Sequence, residues 1–377
     1  MSLPYQQRVE LRISKKFIRA FLGGFLILIA MVAGLELVAR SASVQDRVPF
    51  QAYGTNHLQF EVQMGILREF VKNEGPPDCL ILGNSMSHRS LNPEIMNQHY
   101  YELTGNKINC FNFSVVGANV SVTQFIAEIL IREYDPKLLI LGTSFIDFTE
   151  RRETRVDERF FDNPWLLYKH GEESFKGWLL DNSAAFRLIT FLSYGTNQTT
   201  SLETIYNEFA SADQRITPFG YALFRKVFNV GADVKDNVRN RLLEDLGDFS
   251  LSQWNLGELE KIVALKEDGI EIIVVEMPYH EALIEFIDLE GNPLPERLAV
   301  KTFVSRANSR ISQISSTYGV IFWSTIGLDM IPGDGWSDWN HLNITGGEIF
   351  SAWLAEQIAA VIQSGQIDDF TQSGGAN

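Results

Sequence analysis

The chain is 377 residues long, 45% hydrophobic and 12% aromatic, enough to bury a full core and to predict one large domain or a domain carrying an insertion. Acidic residues outnumber basic ones by 47 to 32, and the net charge of −15 argues against a surface that wraps nucleic acid phosphates. No repeat, metal-ligand cluster or phosphate-cradling loop is visible, so neither a metal nor a cofactor is expected.

At the amino terminus Arg8, Arg12, Lys15, Lys16 and Arg19 precede an apolar run from Ala20 to Leu35, which continues past Glu36 through Leu37-Val38-Ala39 to Arg40. About twenty residues at a helical rise match the roughly 30 Å hydrocarbon core, and Glu36 then falls near the far interface. The basic residues keep the preceding end in the cytoplasm, so the chain after about Ser41 is expected outside it, in a periplasm or at the cell surface. A cleaved signal peptide is the competing reading, because Ser41-Ala42-Ser43 resembles a small-residue cleavage site; the long basic region favours an uncleaved anchor. The expected boundaries are a basic tail over 1–19, an anchor over 20–39 and a stem over 40–77.

Helical spacing at Phe60, Met64, Leu67 and Val71 is broken by Gly75-Pro76-Pro77. Cys79 to Leu82 then reads as a buried strand ending in Gly83-Asn84-Ser85, which places a serine at a strand's carboxyl end, where open α/β sheets keep their sites. Such a serine can act as a nucleophile or bind an anion, or it can simply cap the following helix. Pro93 opens a helix towards Tyr101, and Ile108 to Ser114 is a second strand closing on Val115-Val116-Gly117-Ala118-Asn119. A helix over Val122 to Tyr134 stops at Asp135-Pro136, and Lys137 to Ser144 is a third strand. Strands alternating with helices predict a parallel sheet with right-handed crossovers.

Between 150 and 251 the pattern changes to a stretch rich in charge, Phe, Trp and Asn, with helical periodicity over Ala184 to Leu192 and Leu202 to Phe209 and no clear strand. A mostly helical insertion over the carboxyl end of the sheet is expected, as a lid or substrate platform or as an ordinary structural cap. The rhythm returns with a helix over Gly257 to Asp268, a fourth strand over Ile270 to Pro278, a long helix over Arg297 to Tyr318 and a short fifth strand over Val320 to Trp323. A loop with Pro332, Gly333 and Gly335 leads through Trp336-Ser337-Asp338-Trp339-Asn340-His341 to a last helix over Ile344 to Ile362, and the polar tail over 363–377 is expected to fray.

The chemistry lies in combining Ser85 with Asp338 and His341. A serine hydroxyl is a poor nucleophile until a base accepts its proton, and a carboxylate fixes the base's tautomer and stabilises its cation. Asp338 and His341, three residues apart on a loop entering a helix, follow the fifth strand and so reach the same sheet edge as Ser85.

The order of Gly83-Asn84-Ser85, Gly117, Gly142-Thr143-Ser144 and Asp338-Trp339-Asn340-His341 after successive strands resembles the SGNH (GDSL-like) hydrolase superfamily. The resemblance covers 78–149 and 252–362, interrupted by the insertion. It implies a flavodoxin-like three-layer α/β/α sandwich with a parallel five-stranded sheet, in which Ser85 is nucleophile, His341 base and Asp338 its orienter. It also implies an oxyanion hole from the backbone amides of Ser85 and Gly117. The third block usually supplies an Asn two residues after its Gly; here that place is Ser144, which could substitute, or Asn119 could lean in. A single anchor before such a domain looks like envelope acyl-transfer proteins of bacteria, which implies acyl or acetyl esters of a cell-envelope or exported polysaccharide as substrate and a multispanning acyltransferase as membrane partner. Serine esterase and O-acyltransferase share one acyl-serine; the alternative of another class is a non-catalytic glycan-binding or scaffold protein on the same fold.

In a 2-1-3-4-5 sheet Cys79 and Cys110 begin neighbouring strands, where a disulfide and two buried thiols are both open. His88 and Arg89 could meet substrate or form a solvated helix face, His280 lacks a carboxylate at triad spacing, and Glu276 reads as structural.

Overall fold

The computed structural model describes residues 15–45, 52–153, 157–197, 215–228, 232–280, 283 and 295–368. Arg8, Arg12, the expected helix over Leu202 to Phe209 and the end of the tail lie outside the described residues.

Helix α1 (Lys15–Ala39) is long and apolar enough to cross a membrane, and it meets the rest of the fold at its carboxyl end, where Ala39 is buried. Helix α2 (Leu58–Glu74) buries Phe60, Met64, Leu67 and Phe70 on one stripe, starts where the His57 side chain accepts from Phe60 N–H, and ends at Gly75. Strand β1 (Cys79–Leu82) runs into the short helix α3 (Ser85–Ser90), and α4 (Pro93–Thr104) follows behind an Asn92 cap with Pro93 in its first turn. Strand β2 (Cys110–Asn112), helix α5 (Val120–Tyr134) and strand β3 (Leu138–Thr143) complete the first half. Asp135 ends α5 in the left-handed conformation ahead of Pro136.

After a short turn at Glu150–Arg152 and a single helical turn at Glu158–Phe161, the insertion forms helices α6 (Pro164–His170), α7 (Phe175–Asn182) and α8 (Ala184–Asn197). It then forms an antiparallel hairpin, Arg215–Ile216 with Ala222–Leu223, and ends with α9 (Ala232–Leu246). The hairpin corrects the expectation of an insertion without strands. Two-residue strands carry too little alternation to read, and this pair is made by its surroundings: Phe219 C=O accepts from Asn112 N–H of β2 at 3.0 Å. Helix α10 (Gln253–Ala264), strand β4 (Glu271–Glu276), α11 (Pro295–Thr317), strand β5 (Ile321–Trp323) and α12 (Ile344–Gln363) follow.

The five-stranded sheet is parallel throughout, in the order β2-β1-β3-β4-β5. Its inner strands are continuously buried apolar runs, as a sheet covered on both faces requires. Helices α5, α10 and α11 pack on one another across one face, and α12 packs on α3 and α4 across the other, giving a three-layer α/β/α sandwich. Cys79 and Cys110 are direct register partners on β1 and β2, 4.3 Å apart at Cα, and are joined as a disulfide.

Two glycines let the site edge close. Gly83 follows β1 with φ +149°, and a Cβ there would run into Ser87 Oγ and the Gly142 carbonyl. A Cβ on Gly142, at the end of β3, would meet Ser87 from the other side.

Candidate active site

Ser85 is the first residue of α3, behind the Asn84 cap whose Oδ1 accepts from Met86 N–H at 2.8 Å. That position leaves its hydroxyl at the carboxyl edge of the sheet and its backbone N–H without an intrahelical acceptor. Ser85 Oγ lies 2.9 Å from His341 Nε2. His341 Nδ1 lies 2.8 and 2.9 Å from the two oxygens of Asp338.

The loop that carries the pair is built by its own backbone. Asp338 Oδ1 also accepts from Asn340 N–H at 3.1 Å and His341 N–H at 2.9 Å, while Ser337 N–H donates back to His341 C=O. A bridge between Trp336 and Leu342 closes the turn, and Asn343 then caps α12 by accepting from Gly346 N–H. With the carboxylate accepting, His341 holds its proton on Nδ1 and offers Nε2 to the serine. Burial acts to raise the Asp338 pKa, but the His341 hydrogen bond and charge, the Asn340 N–H and Arg89 outweigh it and hold the carboxyl below its usual range.

Arg89, one turn beyond Ser85, is neither a substrate contact nor part of a solvated helix face, the two readings its sequence position offers, because its guanidinium is turned inward. It stacks on the Phe224 ring at 3.7 Å and reaches Asp338 Oδ2 at 3.8 Å. His88 is wholly buried, and burial pushes its pKa down to about 3, so it is a neutral core residue away from the cleft. His280 is also buried, edge-on between Phe228 and Trp336.

Gly117 lies on the cleft wall with Ser85, in the left-handed conformation at φ +74°, and among the described residues its N–H donates to no protein acceptor. Asn119 borders the same cleft while its Oδ1 caps α5 through Val122 N–H. Ser144 is only 1% exposed, and its Oγ accepts from Ile146 N–H and from the Tyr279 hydroxyl. Its backbone N–H donates to Asp147 Oδ2, so Ser144 borders the cleft with Ser85 but its polar atoms are engaged in capping its own turn.

The Asn84–Asp147 pair escaped the sequence reading. Asn84 Nδ2 donates to both Asp147 oxygens at 3.0 and 3.1 Å, tying the residue before the serine to the end of β3. Burial raises the Asp147 pKa to about 6 despite Arg152 and these donors. The spacing of Ser144 and Asp147, a capping box, was the available signal.

The cleft encloses about 650 Å³. Its far wall comes from the insertion and is made of paired charges, Arg152 with Asp245 at 2.7 Å, Arg159 with Asp157 at 2.6 Å and Arg151 with Glu244 at 3.7 Å. The insertion's share of the cleft wall therefore comes from Arg151, Arg152, Asp157, Arg159 and α9, whereas α6 to α8 pack elsewhere, against α5 and α1. Among the described residues no group of acids, histidines or cysteines has a metal-binding arrangement.

No family model matches the chain, and no curated relative matches it. Among solved structures it is similar to a lipase/acylhydrolase from Enterococcus faecalis, at 9% identity and TM-score 0.36, covering 75% of this chain and 95% of that one. It is also similar to a GDSL-like lipase from Bacteroides thetaiotaomicron, at 10% identity and TM-score 0.33, covering 80% and 98%. A GDSL-like lipase described for Parabacteroides merdae aligns at 12% identity and TM-score 0.30, covering 76% and 97%. Likeness at this level decides nothing about the site, whose chemistry follows from its own geometry.

Proposed function

We propose that the protein is a serine esterase or O-acyltransferase of SGNH type, anchored by α1 with its main domain outside the cytoplasm. It acts through an acyl-serine on acyl or acetyl esters of a cell-envelope or exported polysaccharide. The observation that carries the reading is the continuous chain from Ser85 Oγ through His341 to Asp338, at 2.9 Å and then 2.8 Å.

Ser85 Oγ attacks the ester carbonyl as His341 Nε2 takes its proton, and Asp338 stabilises the imidazolium. The carbonyl oxygen becomes an anion, received by the N–H groups of Ser85 and Gly117, each donor of this kind contributing about 10²–10³ in rate. His341 returns the proton to the departing alcohol, leaving an acyl-Ser85. Water or a sugar hydroxyl, deprotonated by His341, then attacks the acyl carbon and frees the serine. The polar, charge-paired wall of the cleft supports a hydrophilic acceptor such as a glycan over a lipid tail. The Cys79–Cys110 bond supports an oxidising compartment, and the length of α1 supports an anchor. A multispanning acyltransferase that delivers the acyl group is the partner this arrangement would serve.

The test is fluorophosphonate labelling of the full chain in detergent, read by intact mass and peptide mapping. A single phosphonyl adduct on Ser85, absent in Ser85→Ala and much slower in His341→Ala, is expected. A folded chain that takes no adduct would instead favour the glycan-binding reading, for which the capped Ser144 in place of a side-chain oxyanion donor is the supporting feature.

A further inference from the structure

Helix α1 does not end in a free linker. The Glu36 carboxylate accepts from Ser183 Oγ at 2.9 Å, Ala184 N–H at 2.9 Å and Ala185 N–H at 3.0 Å, so it caps the start of α8. Arg40 pairs with Glu36 at 2.7 Å and donates to the Asn182 carbonyl at the end of α7 at 3.1 Å. The corner between α7 and α8 is thus fixed at the polar end of α1.

Both helices carry large apolar side chains that nothing covers among the described residues. On α7, Phe175 is 75% exposed and Trp178 45% exposed, with their rings stacked at 5.9 Å; on α8, Ile189 is 57% and Leu192 52% exposed. Of the other exposed apolar side chains beyond α1, Val227, Trp254 and Leu328 stand singly, and Tyr101 and Leu103, two residues apart on α4, face different sides of their helix; none makes a patch. At a rise of about 1.5 Å per residue, Trp178 is about 6 Å and Leu192 about 12 Å along its helix from the corner, within the depth of one headgroup layer and its acyl boundary.

We propose that α7 and α8 form a second membrane contact, in which Phe175, Trp178, Ile189 and Leu192 enter the interfacial layer of the leaflet from which α1 emerges. This rests on the reading of α1 as a membrane-crossing helix. Glu36 and Arg40 mark the headgroup level, and aromatic side chains beside them occupy the depth where such rings partition. The exposed Glu172 and Glu173 just before Phe175 make this an apolar contact, not an attraction between basic groups and acidic lipid. The contact holds the domain at one tilt, so the cleft takes a fixed height and direction over the bilayer.

The native cysteines are buried and joined, so one introduced cysteine takes one label. Full-length Ile27→Cys, Trp178→Cys, Leu192→Cys and Leu328→Cys, each carrying an environment-sensitive fluorophore, are reconstituted in phosphatidylcholine vesicles containing two quencher lipids, one with its quencher near the ester linkages for 178 and 192 and one with its quencher deep on the acyl chain for 27. Emission is expected to fall severalfold at 27, 178 and 192 and to stay unchanged at 328, with no added acidic lipid required. Quenching at 27 alone overturns the second contact while leaving the anchor standing. No quenching at 27 removes the anchor and the proposal with it, and a signal at 178 and 192 that appears only with acidic lipid overturns the apolar contact.

Discussion

Asp338→Asn is the most informative single change, because the loop dictates how the amide must sit. The Oδ1 position accepts main-chain N–H groups from Asn340 and His341, which an NH₂ cannot do. The amide oxygen therefore takes that place and the NH₂ takes the Oδ2 place, 2.9 Å from His341 Nδ1 and 3.8 Å from the Arg89 guanidinium. A donor now faces Nδ1 beside the amide oxygen, which stays 2.8 Å away, so the tautomer with the proton on Nε2, which can no longer accept from Ser85, gains population. The variant also loses a charge-assisted hydrogen bond to the imidazolium, about 1.5–3 kcal/mol. Together these effects amount to about 3–5 kcal/mol of barrier, or a fall of about 10²–10⁴ in kcat at about 1.4 kcal/mol per tenfold. The assay is the initial rate of p-nitrophenyl acetate hydrolysis beside the rate of phosphonylation, both on the full chain in detergent. The two should fall by the same factor, because both need Ser85 to lose its proton, while Tm changes little since Asp338 is partly exposed. A folded variant within about threefold of the parent in both rates would refute the assignment of Asp338 as the group that governs His341.

Arg89→Met keeps a stem over Phe224 and removes the charge beside Asp338. At 3.8 Å the gross attraction is about 4 kcal/mol at an effective dielectric of about 20; solvent at the partly exposed carboxylate screens it to about 1 kcal/mol, so kcat should fall roughly fivefold with little change in KM. Glu276, buried at the end of β4 against Ser324 and Asn308, has its pKa raised to about 7 by burial. The folded state thus holds a proton that the unfolded chain releases near 4.5, and stability falls as pH rises from about 4.5 to about 7, by about 3 kcal/mol over that window. Glu276→Gln should raise Tm at pH 8 and lose that advantage by pH 4.5 in thermal melts across the range. Replacing Cys79 and Cys110 by Ser opens a loop of sequence separation 31 and should lower stability by about 3–4 kcal/mol in denaturant titrations, with Ser85 still labelled in the fraction that folds.

The sheet and the reacting group were readable because each announces itself locally. Apolar runs ending in Gly-Asn-Ser or Gly-Thr-Ser mark strand ends, and Asp338-x-x-His341 needs only its own loop to place both side chains. What depends on register stayed open. Whether Cys79 and Cys110 bond is decided by their becoming direct partners across two strands, which neither strand encodes alone. The sequence offers Ser85 as a helix cap and His88 and Arg89 as a helix face without bounding α3, because Ser-Met-Ser-His-Arg-Ser has little helical preference; the Asn84 cap and burial of Met86 and His88 hold it, while the stronger signal at Pro93 belongs to the next helix. Arg89 reads as a surface residue until Phe224, more than a hundred residues later, supplies the ring beneath it. Ser144 looked like a substitute donor from its spacing after Gly142, but a serine three residues before Asp147 caps its own turn first.

The hairpin from the insertion reaches the base from two sides. Ile344 N–H donates to Phe224 C=O at 2.8 Å and Phe228 N–H donates to Trp336 C=O at 2.7 Å, while Phe224 backs the arginine beside Asp338. A segment so joined cannot be traded as an accessory. Grafting a relative's cap in place of 150–251, or trimming it to a minimal loop, would cut the struts of the histidine turn along with the substrate wall. Specificity in this scaffold is therefore best re-engineered by side-chain changes on α9 and at Arg151, Arg152, Asp157 and Arg159, with the stretch from Thr217 to Phe228 left whole.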